Sequence, residues 1–285
     1  MRTTLFLTLL IHALIAAGSL PMGAEESITS RRASFEDGSI VITSLETYPI
    51  AFTDDLLGMS FDDSGWPRLL AVSSTDNKLY GLEPLSADSV DELALCTSNQ
   101  NGWGVAWFSP DLLYTNDTND TALFGYVSGG WLSEENDAGS DGRGMDFCDD
   151  LFWQAVSQGG QHRVVSWDPM SGIWTWSDIS AQIPGQLSGL TVFASGGQSY
   201  LCVTTLYQPD IWVYAVSGRE ISEYIGSAAL PDSAEASLGL TYSESFNTFY
   251  WCYASGGSTF INQFEMTIDS TSLNRASWGS IKTLP

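Results

Sequence analysis

Gly58-Met59-Ser60-Phe61 is the first of five copies of a short pattern that decides the fold: a glycine, an apolar residue, a small or polar residue, and a large apolar residue. The other copies are Gly104-Val105-Ala106-Trp107, Gly144-Met145-Asp146-Phe147, Gly189-Leu190-Thr191-Val192 and Gly239-Leu240-Thr241-Tyr242. Their glycines are 46, 40, 45 and 50 residues apart. This period fits one four-stranded blade of a β-propeller and exceeds one solenoid turn. The pattern therefore predicts an all-β propeller.

Each repeat contains short apolar runs separated by turn residues. In the fourth repeat the runs cover residues 190–193, 200–204, 211–216 and 221–225. Short apolar and aromatic runs bounded by Gly, Ser, Pro and Asp indicate strands joined by hairpins. No segment has apolar residues at helical spacing over three turns. Each repeat is therefore predicted to be a meander of four antiparallel strands, with almost no helix in the protein.

An N-terminal strand is predicted to close the ring. Residues 39–45 form an apolar run before the first repeat glycine, and the last repeat ends with a predicted strand near residues 276–281. A propeller must join its two ends, and an N-terminal strand that pairs with the last blade does so. We expect five blades in a single domain over residues 39–285, with six blades as the alternative.

The pattern resembles the NHL, YncE and SMP-30-like group of secreted bacterial propellers over residues 39–285. The resemblance implies the architecture, because the pattern is a general mark of innermost propeller strands. The repeats lack the recurring Gly-His and Trp-Asp dipeptides of WD40 proteins, because Trp-Asp occurs only once, at Trp167-Asp168.

The N-terminus predicts export. Arg2 precedes an uncharged apolar run over residues 5–17, and small residues follow. This is the pattern of a signal peptide, here assigned to residues 1–24, with cleavage after Ala17 or Ala24. Residues 25–38 are predicted to be a mobile leader. The expected location of the mature protein is secreted or periplasmic.

The charge limits the partners. The formal net charge is −24, and the chain has only two lysines. Nucleic acids and anionic membranes need a positive patch, so neither is an expected partner, and no downstream run is long enough for membrane insertion. The expected partner is a protein, peptide or glycan ligand, and the expected state is a monomer.

The cysteines and tryptophans are interpreted as packing residues. Cys202 and Cys252 each lie 13 residues after a repeat glycine, so they occupy equivalent places on different blades, too far apart for a disulfide. A bond between Cys96 and Cys148 stays open. Five tryptophans inside strand runs are predicted to pack between blades: Trp107, Trp153, Trp167, Trp212 and Trp251.

The repeat glycine is predicted to lie where neighbouring blades approach closely, so that a side chain would not fit. The residue two places later is small in four repeats, but it is Asp146 in the third. Arg143 could neutralise this carboxylate, or backbone amides could satisfy it.

The candidate ligand-binding residues follow from the architecture. Segments that lead into the innermost strands gather at one end of the channel, and loops on a rigid scaffold often carry binding residues. These segments, together with the unusual carboxylate, nominate Asp55, Asn101, Trp103, Arg143, Asp146, Gln186 and Ser237. An aromatic ring, amides, a cation and carboxylates together could hold a sugar or a peptide.

No residue is assigned to catalysis, metal binding or a cofactor. The mature chain has one histidine, His162, in a predicted exposed turn, so a multi-histidine metal site is excluded and a Ser-His-Asp triad would depend on this residue. Calcium is conceivable at residues 116–121 and 136–142, which combine oxygen donors with glycine or turn residues. The alternative function is a hydrolase for sugars or lactones that uses Asp146 or Asp55.

Overall fold

The computed structural model describes residues 31–35, 38–64, 68–109, 112–135 and 138–269. Over these residues it contains 21 strands, named in chain order, and no helix. They form five antiparallel sheets arranged as a five-bladed β-propeller, which confirms the predicted fold class and the blade number. The predicted strand near residues 276–281 and the predicted signal peptide lie outside the described residues.

Each of the first four blades is a meander of four strands. Blade 1 contains β3 (Met59–Asp62), β4 (Arg68–Ser73), β5 (Lys78–Leu82) and β6 (Ser89–Ala94). Blade 2 contains β7 (Gly102–Ser109), β8 (Leu112–Asp117), β9 (Ala122–Val127) and β10 (Gly130–Glu135). Blade 3 contains β11 (Gly142–Cys148), β12 (Leu151–Gln158), β13 (Gln161–Asp168) and β14 (Ile173–Asp178). Blade 4 contains β15 (Leu187–Ser195), β16 (Gln198–Thr205), β17 (Gln208–Ser217) and β18 (Glu220–Ala229).

Blade 5 joins the two ends of the described chain. It contains β19 (Ala236–Ser243), β20 (Thr248–Ser255), β21 (Ser258–Asp269), β2 (Gly38–Ile50) and β1 (Arg31–Phe35). β2 pairs antiparallel with β21, with Ile42 opposite Met266. The predicted closure by residues 39–45 is therefore confirmed. Within the predicted leader, Arg31–Phe35 forms β1 and pairs with the other edge of β2. The mobility of the leader stays a prediction.

The repeat glycines lie at the contacts between innermost strands. A Cβ on Gly58 would be 2.2 Å from Trp103 O, and one on Gly104 would be 2.1 Å from Arg143 O. A Cβ on Gly239 would be 2.1 Å from Leu57 O, which links blade 5 to blade 1. The predicted close approach is confirmed, and it runs around the whole ring.

The core lies between the blades. Side chains from facing sheets form apolar clusters, and the five predicted packing tryptophans all belong to them or pack against them. Cys202 and Cys252 are buried, as predicted, and all four cysteines are free thiols. The prediction that Cys202 and Cys252 occupy equivalent places is wrong, because Cys202 pairs with Thr191 whereas Cys252 pairs with Gly239. Cys96 follows β6 at one end of the channel, while Cys148 ends β11 at the other, so a bond between these two is ruled out.

Candidate functional site

The candidate site lies at the end of the channel where the five innermost strands begin. In a four-stranded meander, this end also carries the turns between the second and third strands of each blade. We call it the mouth face. The residues just before the repeat glycines form its inner ring: Leu57, Trp103, Arg143, Ser188 and Leu238.

Trp103 fills the axis of the channel. Its side chain is buried, and Nε1 donates to Ser188 O over 3.1 Å. Trp103 belongs to blade 2 and Ser188 to blade 4, which are not neighbours, so the indole spans the channel. A large aromatic ring therefore closes the axis just inside the mouth face.

Arg143 packs against this ring. Its guanidinium carbon lies 4.3 Å from the centre of the Trp103 ring, and the residue is only 3% exposed. Nε and Nη2 each lie 2.9 Å from Asp141 Oδ1. Burial lowers the pKa of Arg143, while Asp141 opposes that shift. A cation desolvated in this way needs its carboxylate partner.

Asp141 connects blades 3 and 4. Gln186 Nε2 donates to Asp141 Oδ2 over 3.0 Å, and the backbone N–H of Asp141 donates to Thr118 O over 2.9 Å. Burial raises the pKa of Asp141, and the nearby guanidinium of Arg143 opposes this shift. The result is a cluster of Trp103, Arg143, Asp141 and Gln186, which we call the mouth cluster.

Asn116 joins blades 2 and 3 beneath the mouth cluster. Its Oδ1 accepts from Gly104 N over 2.7 Å, and its Nδ2 donates to Arg143 O over 2.8 Å. Asn116 is fully buried, so the glycosylation sequon at Asn116-Asp117-Thr118 is inaccessible in the folded protein, whereas Asn119 is exposed.

Tyr207 offers an exposed aromatic ring next to the mouth cluster. It follows Leu206, whose N–H donates to Gln186 O over 2.8 Å, so it lies in the turn between β16 and β17 on the mouth face. Tyr207 is 59% exposed. The mouth face therefore combines a buried cation, a partly buried carboxylate, an amide and an open aromatic surface.

His162 differs from its predicted place in an exposed turn. It lies in β13, is half-buried, and its Nδ1 is 3.0 Å from Ser157 Oγ. Ser157 Oγ also accepts from Leu187 N over 2.9 Å. Burial lowers the pKa of His162. The backbone of blade 4 holds Ser157 in place, so we interpret this serine as a structural link between blades 3 and 4.

The predicted site residues separate into two groups. Trp103, Arg143 and Gln186 meet in the mouth cluster, and Asn101 lies beside it through a hydrogen bond from Thr118 N to Asn101 O. Asp55 and Ser237 have other contacts. Asp55 accepts from Ser73 Oγ, Ser74 and Thr75 in the turn after β4, and Ser237 Oγ accepts from Trp251 Nε1.

Sequence reasoning did not place Asp141 in the site. Its only signal was its position two residues before Arg143. The strand pattern could not show the contact, because Asp141 has a φ of 65° and lies just before β11. The structure pairs Arg143 with Asp141 and not with Asp146. The register of β11 with β12 shifts between Gly142 and Met145, a segment that lies between the two carboxylates.

Asp146 joins blades 3 and 4. Its Oδ2 accepts from Thr191 Oγ1 over 2.8 Å and from Val192 N over 2.7 Å. Ser60 does the same at the equivalent place on blade 1, where its Oγ accepts from Trp107 N over 3.0 Å. The expectation that backbone amides satisfy Asp146 is confirmed.

Replacing Asp146 with Asn is expected to stabilise the protein at neutral pH. Burial raises the pKa of Asp146 to about 6, against an ordinary value of 3.8. Ionisation therefore costs the folded state increasingly as the pH rises from about 4 to above 6. We expect Asp146→Asn to be about 1–3 kcal/mol more stable than the native protein at pH 7.5, and equal to it near pH 4. Urea denaturation of both proteins at the two pH values measures this. A difference that does not change with pH would contradict the prediction.

Among the described residues, no three His, Cys, Asp or Glu side chains gather closely enough to hold a metal ion. Asn136 and Asp137, from one predicted calcium segment, lie outside the described residues. Calcium binding stays a prediction. Within the described ranges, no helix is long and apolar enough to cross a bilayer.

Comparisons with known proteins identify the architecture. No family model matches the sequence, and no curated protein matches it. The glutaminyl cyclase of Myxococcus xanthus has a similar structure, with a TM-score of 0.56 and 14% identity over 80% of this chain and 97% of that one. The PQQ-bound aldose sugar dehydrogenase of Streptomyces coelicolor gives a TM-score of 0.48 and 11% identity over 85% of this chain and 100% of that one. Virginiamycin B lyase of Staphylococcus aureus gives 0.46 and 14% over 79% of this chain and 73% of that one.

At such low identity the likeness concerns the fold alone. The suspected resemblance to bacterial propellers is supported at this level. By its structure, this chain is similar to bacterial β-propeller proteins.

Proposed function

We propose that this protein is an exported, non-catalytic propeller that binds a peptide, a glycan or an exposed part of a protein at its mouth face. The observation that carries the proposal is an amide held beside a carboxylate at the mouth face. Gln186 Nε2 donates one of its two protons to Asp141 Oδ2, which leaves a second N–H donor next to that carboxylate. Neither side chain is fully buried, so a ligand can approach both groups.

The mouth cluster also offers an acceptor. Asp141 receives hydrogen bonds from Arg143 and Gln186, and a carboxylate has about four acceptor positions. Its side chain is 22% exposed, so a ligand can approach it. A group with a donor next to an acceptor, such as a peptide amide or a sugar hydroxyl, matches this pair.

Tyr207 provides the apolar contact. Its exposed ring lies beside the polar cluster, and an aromatic surface next to directed polar groups is common in sites for peptides and sugars. The donor, the carboxylate and the ring come from blades 3 and 4, so the rigid sheets hold them in fixed positions.

The contacts of the other carboxylates favour binding over hydrolysis. The hydrolase alternative needs Asp146 or Asp55 to act on a substrate. Asp146 is held by Thr191 and Val192, and Asp55 by the turn after β4. Their oxygen atoms are already occupied by hydrogen bonds within the protein.

Thermal melting with a panel of neutral oligosaccharides and short peptides tests the proposal. Any probe that stabilises the protein is then titrated against Tyr207→Ala, with Leu85→Ala as the matched control. Leu85 is equally exposed but follows β5 at the opposite end of the channel. We expect Tyr207→Ala to weaken binding at least tenfold and Leu85→Ala to leave it unchanged.

Two outcomes would contradict the proposal. Full binding by both Tyr207→Ala and Gln186→Ala would place the ligand elsewhere. Stabilisation by calcium alone, reversed by a chelator and lost in Asp55→Asn or Asp146→Asn, would favour the hydrolase alternative.

A further inference from the structure

We propose that a second site, separate from the mouth face, lies between blades 1 and 2 and binds a small organic cation with an apolar or aromatic body. The site is a cavity of about 310 Å³ on the flank of the ring. It is lined by Arg68, Leu70, Leu79, Gly81, Asp91, Glu92, Leu93, Trp107, Leu113 and Tyr126. We call it the flank cavity.

The cavity exists because blade 1 lacks a large side chain at one place. On each blade, one residue of the second strand pairs with the third residue of the repeat pattern. Its side chain points toward the next blade. In blades 2, 3 and 5 it is Tyr114, Trp153 and Tyr250. In blade 1 it is Leu70, which pairs with Ser60.

The neighbouring strand does not fill the gap. Gly81 lies opposite Leu70 on β5 and has no side chain. In blade 4 the equivalent residue is also small, Cys202, but aromatic residues of blade 5, including Phe249 and Trp251, pack around it. Between blades 1 and 2 the cluster consists mainly of leucine and valine.

The walls of the flank cavity favour an apolar ligand that carries a positive charge. Trp107 and Tyr126 contribute aromatic rings from blade 2, while leucines form the floor. The faces of aromatic rings attract cations. No Lys or Arg of the described chain stacks on either ring, since the observed cation–π contacts involve Tyr80, Trp103 and Trp176.

The rim of the cavity supplies an exposed carboxylate. Asp91 Oδ2 lies 3.0 Å from Arg68 Nη1, and the Asp91 side chain is 64% exposed. An exposed ion pair of this kind contributes little to stability. Arg68 Nε also lies 4.0 Å from Asp62 Oδ2, so Arg68 keeps a carboxylate partner when a ligand cation takes its place at Asp91. The formal charge of −24 for the whole chain further favours cations over anions.

One side of the cavity is closed. Trp131 of blade 2 donates from Nε1 to Ala94 O of blade 1 over 2.9 Å, and its ring packs at 5.2 Å from that of Tyr126. This bridge ties the outer edges of the two blades together. A ligand therefore approaches from the side of Arg68 and Asp91, where the charged groups lie.

Isothermal titration with benzyltrimethylammonium tests this proposal, with phenylacetate and benzyl alcohol as the anionic and neutral comparisons. We expect the cation to bind and to change the tryptophan fluorescence, and both comparisons to bind at least tenfold more weakly. Asp91→Asn is expected to reduce the preference for the cation over benzyl alcohol. Equal binding of cation and anion would overturn the proposal.

The variant Leu70→Trp removes the cavity without opening the core. Blade 3 already accommodates Trp153 at the equivalent place, so we expect this variant to fold with an unchanged or higher melting temperature. It should lose the cation, whereas Tyr207→Ala at the mouth face should bind it fully. If a folded Leu70→Trp protein still binds the cation, the flank cavity is not the site.

Discussion

Gly104→Ala is expected to destabilise the protein by about 3 kcal/mol or more, or to prevent folding. A Cβ at this place would lie 2.1 Å from Arg143 O and 2.8 Å from Met145 Cγ. The first of these atoms belongs to the backbone of the next blade, so relief requires the two blades to move apart. Such a movement would strain every other contact of a closed ring.

Gly185→Ala is the matched control for this variant. Gly185 lies in the loop before β15, and a Cβ there would meet no heavy atom within 4 Å. A surface change of this kind alters the free energy of unfolding by less than about 0.5 kcal/mol. Urea denaturation of the two variants gives the comparison. Similar, small losses for both would show that the ring tolerates a wider spacing between blades.

Asp141→Ala is expected to cost about 3–5 kcal/mol, because it leaves the guanidinium of Arg143 buried without its carboxylate. The contact with Trp103 does not replace the lost partner, since a cation–π contact contributes about 0.5–2 kcal/mol. The midpoint and slope of urea denaturation measure the loss.

The double variant Asp141→Ala/Arg143→Met isolates the cause. Methionine keeps an apolar contact with Trp103 and removes the unpaired charge. We expect the double variant to be more stable than Asp141→Ala alone. If it is less stable, the aliphatic and aromatic contacts of Arg143 matter more than its charge.

The five glycines made the blades predictable. Backbone contact between blades requires glycine at one fixed place in each repeat, so the sequence displays the period directly. Residues 39–45 were recognisable as the closing strand because a ring must join its ends. The strand at Arg31–Phe35 was not, since it lies on an outer edge where no core pattern is imposed.

The mouth cluster was only partly predictable. Position relative to the repeat brought Trp103, Arg143 and Gln186 together, but it did not show that Asp146 is held by blade 4, which leaves Asp141 as the partner of Arg143. The flank cavity was not predictable. The cavity arises because the residue that pairs with Ser60 is a leucine, Leu70. The sequence does not show which residue pairs with the third residue of the pattern, because the number of residues between the repeat glycine and that partner differs among the blades.

The pairing of β2 with β21 also sets an order of events during synthesis. β2 is made before the four complete blades, whereas its partner β21 is made after all of them. Until then, the edge of β2 has unpaired N–H and C=O groups and can pair with other chains. Contacts between segments so far apart in the chain form slowly. The newly made protein therefore depends on conditions that keep this strand free from aggregation until the ring closes.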